Sequence, residues 1–533
     1  MVIRMKILFF VFRDTINYLE EDKDVGYLYT SIKSNLKNME IKVSFQDDKC
    51  EKEIIKMILD FSPDILFVDF VPASYQLMKN VLGQVRYYNS FIKVVLYGTE
   101  ATASAEVIMA NNYAIDVVML GEAEKTIVDL THRLINHLSL SDCCGIYYRN
   151  NSVIVKNKNR DLLFDLDELG FPERSFYKDN IQFRINTSRG CRGCCTFCDL
   201  DPMKNFNKHS PVRSRSIEHI LEEVRLIIQK YNKRYIFFSD CSFEGANDQI
   251  GWLNRLLSGI RSFEKKFRFF FHTRADLITP ASVVLLKELV REGLDVVYVG
   301  IESGNSQDLK LFNKISDING NETAIKLLKE YDIPYEYGFI MFHPYSTLEG
   351  IENNLNFLEK NRMPISIERL SRKLWMNNGT PIVNKIKRDR LLDDSNDKEI
   401  ITNVVGYNFI DQKVKALSDF FERINRITTN HSDLYIKSRS VYQNALYSST
   451  IDRRDLLNYK HALDIFIHSC SEISYAVFHR CIQKIRNQVD LDETDFNSCV
   501  QQLSEIDAKA QELDKQRYPI IIKLCRRGEW FQR

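Results

Sequence analysis

Four cysteines lie within eight residues of one another, in the stretch RINTSRGCRGCCTFCDL that covers residues 184–200. Three of them, Cys191, Cys195 and Cys198, follow a C-x3-C-x2-C spacing, and Cys194 is an additional member. The chain contains only 12 cysteines in 533 residues, so this local density needs a chemical explanation. Thiolates are soft ligands that bind zinc, iron and iron–sulfur clusters. The loop is therefore a candidate metal centre.

The number of available ligands bears on the kind of metal. A structural zinc site usually takes four ligands, commonly two well-separated C-x2-C pairs. Cys143 and Cys144 are adjacent to each other and belong to a different predicted element. Three thiolates in one loop leave one coordination position open. On the residues alone, an open iron–sulfur site, a zinc site and plain thiols remain the alternatives.

The first 140 residues contain the elements of a doubly wound α/β sheet. Five apolar runs have strand length: KILFFVF, IKVSFQ, DILFVDF, IKVVLYG and DVVMLGE. Segments of helical length cover residues 25–37, 51–61, 73–88 and 104–112 between them. This alternation predicts a parallel, Rossmann-like domain over residues 1–140.

Ligands of such sheets bind beyond the carboxyl ends of the strands, where two glycine-containing loops are predicted. Gly98, Thr99 and Glu100 follow the fourth strand, and Gly121 and Glu122 follow the fifth; Asp69 lies at the end of the third. Glycine at these places lets the backbone approach a ligand closely. The alternative is that both glycines only end their strands.

Residues 141–180 are predicted to form a hairpin and a linker. In GIYYRNNSVIVKN, the turn Arg149-Asn150-Asn151 separates two β-prone runs. The following DLDELGFPERSFY contains acidic residues, a glycine and a proline that interrupt any regular pattern. We therefore expect a domain boundary here.

From residue 181 to residue 392 the alternation of strands and helices resumes. Six segments have strand character: FRINTS, RYIFFSD, FRFFFHTR, DVVYVGIES, YEYGFIMF and ISIERLSRKLW. Helical stretches are predicted over residues 217–231, 248–263, 282–292, 322–331 and 348–360. Six βα units predict a partial (β/α)6 barrel, in which the polar residues after the strands converge on one mouth.

Residues 393–533 have a helical pattern instead. DQKVKALSDFFERINRIT and YKHALDIFIHSCSEISYAVFHRCIQKIRN carry apolar residues at three-to-four spacing. This periodicity predicts a C-terminal helical domain, packed as a bundle or as a cap over the barrel mouth.

Composition excludes several classes of partner. The 73 basic residues nearly balance the 72 acidic ones, so no overall field attracts nucleic acid or an anionic membrane. The apolar run at residues 7–12 is too short for the core of a signal peptide, and nowhere do eighteen apolar residues follow one another. The scattered cysteines form no secreted disulfide framework. These features predict a cytoplasmic protein without nucleic-acid or membrane partners.

The cysteine loop resembles the signature of the radical SAM superfamily. In that family three such thiolates hold a [4Fe-4S] cluster, and S-adenosylmethionine (SAM) binds the fourth iron through its amino and carboxylate groups. The resemblance implies that Cys191, Cys195 and Cys198 are the cluster ligands and that Cys194 is not. It also implies reductive cleavage of SAM to a 5′-deoxyadenosyl radical, with reduced flavodoxin or ferredoxin as the electron donor.

The resemblance extends over residues 184–388 and implies several SAM contacts. Phe197 is the aromatic residue before the last cysteine, where the adenine contacts of the family begin. Asp240, in Ser-Asp after the second strand, matches the motif that holds the methionine amine. Glu302 and Ser303 belong to GIESG, which is similar to the ribose-contacting segment. After the fifth strand FHPYST replaces the commoner glycine-proline-glycine turn, so no contact is carried over to that loop.

The N-terminal domain and the linker resemble those of the cobalamin-binding-domain class of radical SAM enzymes, which includes C-methyltransferases. GTEATASAEV and DVVMLGEAEKTI are similar to the two loops that embrace the nucleotide tail of the corrin in relatives. The resemblance thus implies cobalamin contacts from Gly98, Thr99, Glu100, Gly121 and Glu122. The D-x-H-x-x-G motif is absent, so the lower face of a bound cobalamin should lack a histidine ligand.

Three functions remain as alternatives. The first is cobalamin-dependent methylation of an unactivated carbon in a natural-product, peptide or small-metabolite substrate, with a second SAM remethylating the cobalamin. The second is a radical SAM cyclisation, dehydration or rearrangement without methyl transfer. The third is a non-catalytic, metal-bearing binding protein. The sequence assigns no catalytic residue beyond the cofactor contacts.

Overall fold

The fold is known from a computed structural model, which describes residues 5–13, 20–22, 24–47, 49–178, 181–198, 211–245, 248–377, 379–393, 406–428, 431–446, 448 and 451–526. The chain divides into two compact units. The first comprises Met1–Glu223, Trp375–Arg388 and Leu392–Gly406. The second comprises Val224–Leu374, Asp389–Leu391 and Tyr407–Arg533. The domain boundaries at residues 140, 180 and 392 stay predictions.

The first unit contains a seven-stranded sheet in the order β2-β1-β3-β4-β5-β6-β7. Its strands are β1 (Met5–Val11), β2 (Met39–Phe45), β3 (Ile65–Asp69), β4 (Lys93–Leu96), β5 (Val117–Met119), β6 (Ile146–Asn150) and β7 (Val153–Lys156). The first five strands are parallel, as predicted, and the predicted hairpin adds β6 and β7 antiparallel to β5. The predicted doubly wound α/β fold is confirmed.

Five helices accompany this sheet: α1 (Val25–Asn35), α2 (Glu51–Phe61), α3 (Tyr75–Tyr88), α4 (Thr99–Asn111) and α5 (Glu124–Ile135). The middle of β1, from Ile7 to Phe10, is completely buried because apolar clusters cover both faces of the sheet. That double burial explains why the strands are continuous apolar runs. Helix α4 begins directly after Gly98, earlier than predicted, since its first turns contain Thr, Ala and Ser rather than large apolar residues.

The cysteine loop of the first unit is closed by a short antiparallel ladder. After β8 (Phe183–Ile185), strand β9 (Ser188–Arg189) pairs with β10 (Arg213–Ser214). In this ladder Arg189 lies directly opposite Arg213. Helix α6 (Ile217–Tyr231) follows with the bounds that its amphipathic pattern predicts. The ladder therefore brings the two ends of the cysteine loop together.

The second unit contains four parallel strands in the order β14-β13-β12-β11. They are β11 (Tyr235–Phe238), β12 (Arg268–Arg274), β13 (Leu294–Glu302) and β14 (Tyr335–Phe339). The helices of its βα units are α7 (Gln249–Arg261), α8 (Pro280–Glu292), α9 (Ser306–Leu311), α10 (Ile318–Glu330), α11 (Leu348–Lys360) and α12 (Ile367–Leu370). Helix α13 (Pro381–Arg388) belongs to the first unit.

The prediction of a sixth barrel strand is wrong for the segment ISIERLSRKLW. This segment forms α12 and then makes a single bridge between Lys373 and Phe342. The hydroxyl of Ser366 accepts a hydrogen bond from the backbone N–H of Arg369 and caps the helix. The side chain of Arg369 forms a buried ion pair with Glu336. Cap and ion pair together override the β-prone start of the segment.

The C-terminal helices are α14 (Gln412–Asn425), α15 (His431–Leu446), α16 (Arg453–Arg486) and α17 (Glu493–Arg526), and they confirm the predicted helical character. Helix α15 contacts the beginning of β14: Arg439 donates to the carbonyl of Tyr335 at 2.6 Å and pairs with Glu336 at 2.9 Å. These are the amino ends of the strands, opposite to the mouth, so α15 does not cap it. Within the described ranges, no helix has both the length and the apolar character needed to cross a membrane.

Candidate functional site

The cysteine loop begins with a glycine that the local geometry requires. Gly190 has φ +90°, and a Cβ there would lie 2.9 Å from the carbonyl oxygen of Pro211. Cys191, Cys195 and Cys198 are partly exposed, and Cys194 is exposed. All four thiols are thus within reach of solvent, as the assembly of a metal cluster requires.

Short backbone contacts shape the loop around these thiols. The N–H of Gly193 donates to Sγ of Cys191 at 3.3 Å, and the N–H of Cys198 donates to the carbonyl of Cys195 at 3.2 Å. Residues 199–210 lie outside the described residues. The donor set therefore consists of three thiols that one tight turn holds in a single segment.

Three thiolates in one loop are a donor set that suits an iron–sulfur cluster. Among the residues that the structure describes, no three His, Cys, Asp or Glu side chains lie together as ligands of one metal ion. A [4Fe-4S] cluster binds each thiolate through a different iron atom, so its ligands are more widely spaced than those of a mononuclear zinc site. The three cysteines of the predicted motif could hold such a cluster.

The predicted corrin-contacting loops meet at the carboxyl edge of the first sheet. Gly98 has φ +100° and Gly121 has φ +69°, backbone conformations that favour glycine. The hydroxyl of Thr102 donates to the carbonyl of Gly98 at 2.8 Å and accepts the N–H of Gly121 at 3.0 Å. Thr99 and Glu100 form the first turn of α4. The structure thus brings four of the five predicted positions together.

The fifth position, Glu122, forms ion pairs with two arginines at the base of the cysteine loop. Its carboxylate pairs with Arg213, at 3.0 Å between Nη1 and Oε2, and with Arg189, at 3.1 Å between Nη1 and Oε2. Glu124 forms a second ion pair with Arg189. Burial by itself raises the pKa of Glu122, but the hydrogen bonds and charges of both guanidinium groups hold it below its ordinary value. Glu122 is therefore ionised and already paired.

Carboxyl groups from the neighbouring strand end and from the start of α1 gather beside Gly98. A Cβ at Gly98 would lie 2.6 Å from Oδ1 of Asp69 and 3.9 Å from Oδ2 of Asp24. Burial, followed by the nearby charges of Asp22 and Asp24, raises the pKa of Asp69 well above its ordinary value. Asp69 ends β3, at the carboxyl edge where the sequence pattern predicts ligands. A carboxyl group that keeps its proton can donate as well as accept a hydrogen bond, which suits a ligand that carries amide groups.

In the second unit, Glu302 ends β13 and lies above two glycines. Its carboxylate oxygens are 2.7 Å and 2.9 Å from the positions that a Cβ of Gly300 and a Cβ of Gly338 would occupy. The ammonium of Lys314 lies 3.5 Å from Oε1 of Glu302. Glu302 itself has φ +66°, an uncommon value for a residue with a side chain. The two glycines leave the room that the carboxylate needs, and Lys314 supplies its counter-charge.

Ser303, the neighbour of Glu302, is fully buried in a polar cluster. Its hydroxyl lies 2.7 Å from Oδ1 of Asn354 and 2.9 Å from Oδ2 of Asp308, and His343 contacts the other oxygen of Asp308 at 3.0 Å. Burial raises the pKa of Asp308, but its hydrogen bonds from His343, Asn354 and Ser303 lower it below the ordinary value. The contacts of Ser303 therefore fix the backbone that follows β13.

An aromatic ladder lines the same sheet and was missed by the sequence reasoning. Phe237 stacks on Phe270 at 4.3 Å, and His272 lies 4.8 Å from Tyr298 across β12 and β13. Burial, followed by the charge of Glu302, raises the pKa of Tyr298. The two-residue spacing of Phe270 and His272 in FRFFFHTR was the available signal, because alternate residues of a strand share one face. Tyr298 is thus a neutral hydroxyl donor beside the predicted SAM contact.

The remaining predicted SAM contacts lie in different units. Phe197 is partly exposed within the cysteine loop of the first unit. Asp240 follows β11 in the second unit and is 2% exposed. At the end of the neighbouring β12, Arg274 pairs with the buried Glu244 at 3.0 Å. Within the second unit, the polar residues after β11, β12 and β13 thus lie at one end of the sheet, as predicted.

Comparisons with known proteins agree with these features. Residues 185–358 match the model of the radical SAM superfamily. An uncharacterized methyltransferase of Pyrococcus horikoshii is 25% identical over 327 residues, which cover 59% of this chain and 68% of the relative. The 4′-phospho-dehydrooxetanocin synthase of Priestia megaterium is 27% identical over 333 residues, which cover 58% of this chain but only 44% of that protein.

Two solved structures share the fold over most of the chain. The cobalamin-dependent S-adenosylmethionine radical enzyme OxsB, with aqua-cobalamin bound, superposes with a TM-score of 0.72 at 19% identity and covers 98% of this chain and 81% of that one. The radical S-adenosylmethionine methyltransferase TsrM from Kitasatospora setae, with cobalamin and a [4Fe-4S] cluster bound, gives 0.58 at 14% identity and covers 72% of this chain and 75% of that one. Because the match to OxsB covers 98% of this chain, it includes the N-terminal sheet as well as residues 185–358.

Proposed function

Since residues 185–358 of this chain form a radical SAM domain, we propose that the protein is a cobalamin-dependent radical SAM enzyme that methylates an unactivated carbon. The observation that carries the proposal is the pairing, within one compact unit, of three accessible thiols in one loop with a doubly wound sheet that carries glycine loops at its carboxyl edge. The substrate is a natural product, a peptide or another small metabolite.

In this proposal Cys191, Cys195 and Cys198 hold the [4Fe-4S] cluster, which when bound supplies the electron that cleaves SAM. Gly190 allows the chain to turn close to Pro211, so the loop leaves its ladder in a defined direction. Cys194 is exposed and takes no part. The three thiols leave one iron for SAM.

The residues proposed to bind SAM are Phe197, Asp240 and Glu302. Lys314 holds the carboxylate of Glu302 in place, at 3.5 Å between Nζ and Oε1. Ser303 fixes the backbone after Glu302 through its buried hydrogen bonds. Preorganised carboxylates of this kind orient the amine and the hydroxyls of a ligand without reorganising when it binds.

The residues proposed to bind cobalamin lie along the carboxyl edge of the first sheet. Gly98 and Gly121 let the backbone approach a large flat ligand, and Thr99 and Glu100 offer polar groups beside it. The carboxyl group of Asp69 and its neighbours would accept hydrogen bonds from the carboxamide groups of a corrin. When bound, cobalamin supplies the methyl group.

An oxygen-sensitive cluster with exposed thiols persists best in a reducing compartment, which favours the cytoplasm. We include reduced flavodoxin or ferredoxin in the proposal as the electron donor, because cleavage of SAM consumes an electron that the chain itself does not supply.

Reconstitution with iron and sulfide under anaerobic conditions tests the cluster. The wild type should bind about four iron atoms per chain, and replacement of Cys191, Cys195 or Cys198 by alanine should abolish that iron. Cys194→Ala is the matched control, since it removes a thiol from the same loop. Equal iron loss from Cys194→Ala and Cys195→Ala would show that the ligands are assigned wrongly.

A second experiment tests the reaction. The reconstituted protein should show the absorption of bound cobalamin and should form 5′-deoxyadenosine and a methylated product from SAM. Candidate substrates are taken from the pathway that the neighbouring genes encode, and the products are identified by mass spectrometry. A protein without cobalamin and without methylated product would reject the methylation proposal, and a loaded cluster that does not cleave SAM would favour a non-catalytic role.

A radical SAM rearrangement without methyl transfer is the second candidate. It is favoured by the relative from Priestia megaterium, whose name describes a synthase and not a methyltransferase. Consumption of one SAM per turnover with the methyl group retained on methionine would support this candidate.

A further inference from the structure

We propose that Glu122 and Glu124 are positioning residues of the cluster loop: they clamp the two arginines at its base and balance the charge beside the cluster. The inference rests on the proposed function, because it presupposes that the loop binds a cluster. It departs from the sequence resemblance, which makes Glu122 a contact of the corrin.

The first step of the argument is the geometry of the ladder. Arg189 and Arg213 are direct partners in the pairing of β9 with β10, and they flank the loop at residues 190–212. Arg189 stands two residues before Cys191. Like charges directly opposite each other on neighbouring strands are destabilising. The ladder that closes the cluster loop would therefore repel itself without a counter-charge.

Glu122 supplies that counter-charge to both arginines. Its Oε2 lies 3.0 Å from Nη1 of Arg213 and 3.1 Å from Nη1 of Arg189, and its Oε1 contacts Nη2 of Arg213. Glu124 binds the remaining Nη2 of Arg189. Both carboxylate oxygens of Glu122 thus contact Arg213, and a bidentate pair of this kind gives geometric specificity as well as energy.

The four side chains are shielded from water, which strengthens their mutual attraction. The exposed fractions are 4% for Arg213, 10% for Glu124, 15% for Arg189 and 19% for Glu122. A second anchor holds Arg213, whose Nη1 also donates to the carbonyl of Leu163. Removal of one carboxylate would leave a largely buried cation without its partner, which is strongly destabilising.

The position of Glu122 and Glu124 explains how the first sheet contacts the base of the cluster loop. Both residues follow β5, at the edge where Gly121 and Gly98 lie. The loop after β5 therefore contacts the base of the cluster loop through charged groups, within the first compact unit. These ion pairs connect the carboxyl edge of the first sheet to the base of the cluster loop.

The charges also predict a redox effect. The reduction potential of an iron–sulfur cluster depends on the net charge around it. Two carboxylates and two guanidinium groups cancel in the wild type. Glu122→Gln leaves one positive charge in excess and should raise the midpoint potential, whereas Arg213→Met leaves one negative charge in excess and should lower it. The double variant restores the balance and should return the potential towards the wild-type value.

Opposite shifts and their cancellation distinguish this role from a merely structural one, since general loosening of the loop would shift both single variants in the same direction. The control is Glu168→Gln, which breaks the exposed ion pair with Lys125 at 3.2 Å in the same unit. It should leave the potential unchanged.

The experiment uses the full chain in two states. In the cluster-free protein, hydrogen exchange of peptides that cover residues 184–198 and 211–216 should be at least about fivefold faster in Glu122→Gln than in the wild type, the factor expected when roughly 1 kcal/mol is lost. In the reconstituted protein, the midpoint potential and the electron paramagnetic resonance spectrum with SAM are measured for both single variants, the double variant and the control. Cobalamin absorption is recorded for each.

Faster exchange together with opposite, cancelling potential shifts is the expected result. Unchanged exchange and potential in Glu122→Gln, with selective loss of cobalamin, would overturn the inference and restore Glu122 as a corrin contact. Should Glu122→Gln fail to fold, the double variant replaces it, and its recovery of folding with a near-wild-type potential supports the clamp. A wild type that binds no iron refutes the proposed function, while the exchange measurement still decides whether the clamp exists.

Discussion

Replacement of Gly98 by alanine tests the geometry of the carboxyl edge directly. Gly98 adopts φ +100° and ψ 176°, a region that only glycine populates readily. A Cβ there would lie 2.6 Å from Oδ1 of Asp69. That oxygen accepts the N–H of Phe70 at 2.9 Å, so the carboxyl group cannot move away without losing a hydrogen bond. Backbone and carboxyl group both oppose the substitution.

The two contributions give the expected magnitude. A side chain in this backbone region costs about 1–3 kcal/mol. Displacement of Asp69 and loss of its hydrogen bond adds about 1 kcal/mol. We therefore expect Gly98→Ala to lower the free energy of unfolding by about 2–4 kcal/mol.

Urea-induced unfolding of the cluster-free chain, followed by circular dichroism, measures this cost. In an Asp69→Ala background only the backbone part, about 1–3 kcal/mol, should remain. Gly83→Ala is the matched control, because Gly83 lies within α3 with no neighbouring atom inside 4 Å of its Cβ position, and alanine there should stabilise the helix by up to about 1 kcal/mol. A cost below about 1 kcal/mol for Gly98→Ala would refute the backbone argument, and an equal cost in both backgrounds would refute the steric one.

A larger substitution at Gly98 tests whether cobalamin and the cluster bind independently. Gly98→Val should keep its iron and still form 5′-deoxyadenosine in the presence of a reductant, while losing cobalamin and the methylated product. A bulky residue at Gly121 should in addition disturb the cluster, since Glu122 follows it and binds Arg189 and Arg213. A Gly98→Val variant that keeps both cobalamin and methylation would show that this glycine only ends its strand.

Three further substitutions test the remaining contacts. Folding raises the pKa of Asp69, so the wild type loses stability as the pH rises from the pKa of the unfolded state, about 4, through the pKa of the folded state. Asp69→Asn should therefore be more stable than the wild type over that pH window but not below about pH 4. Urea midpoints at several pH values measure the difference. Ser303→Ala should cost about 1–3 kcal/mol in urea unfolding, since the buried N–H of Asn305, which donates to the Ser303 hydroxyl at 3.0 Å, loses its acceptor; an unchanged free energy of unfolding would contradict this role of Ser303. Lys314→Met should weaken the binding of SAM, measured by calorimetry, because Glu302 loses its counter-charge, and unchanged affinity would contradict the assignment of Glu302.

The sequence alone determined the features that depend on local pattern. The strands of the first sheet are buried on both faces, so continuous apolar runs such as KILFFVF identified them. The amphipathic period predicted two helices with the bounds that the structure shows, Ile217–Tyr231 and Leu348–Lys360. The cysteine spacing pointed to the radical SAM domain, which the family match confirms. The individual cofactor contacts stay predictions.

Only the tertiary structure decided which charged side chains meet. Arg213 and Glu122 stand 91 positions apart, so no local pattern could indicate that they pair. The same holds for Arg369 and Glu336, 33 positions apart, whose ion pair accompanies a helix where the sequence indicated a strand. Local propensity differs between such states by a fraction of a kcal/mol per residue, whereas a buried ion pair with one partner removed costs several kcal/mol. At Arg369 the helix that places the guanidinium beside Glu336 is formed in place of the strand.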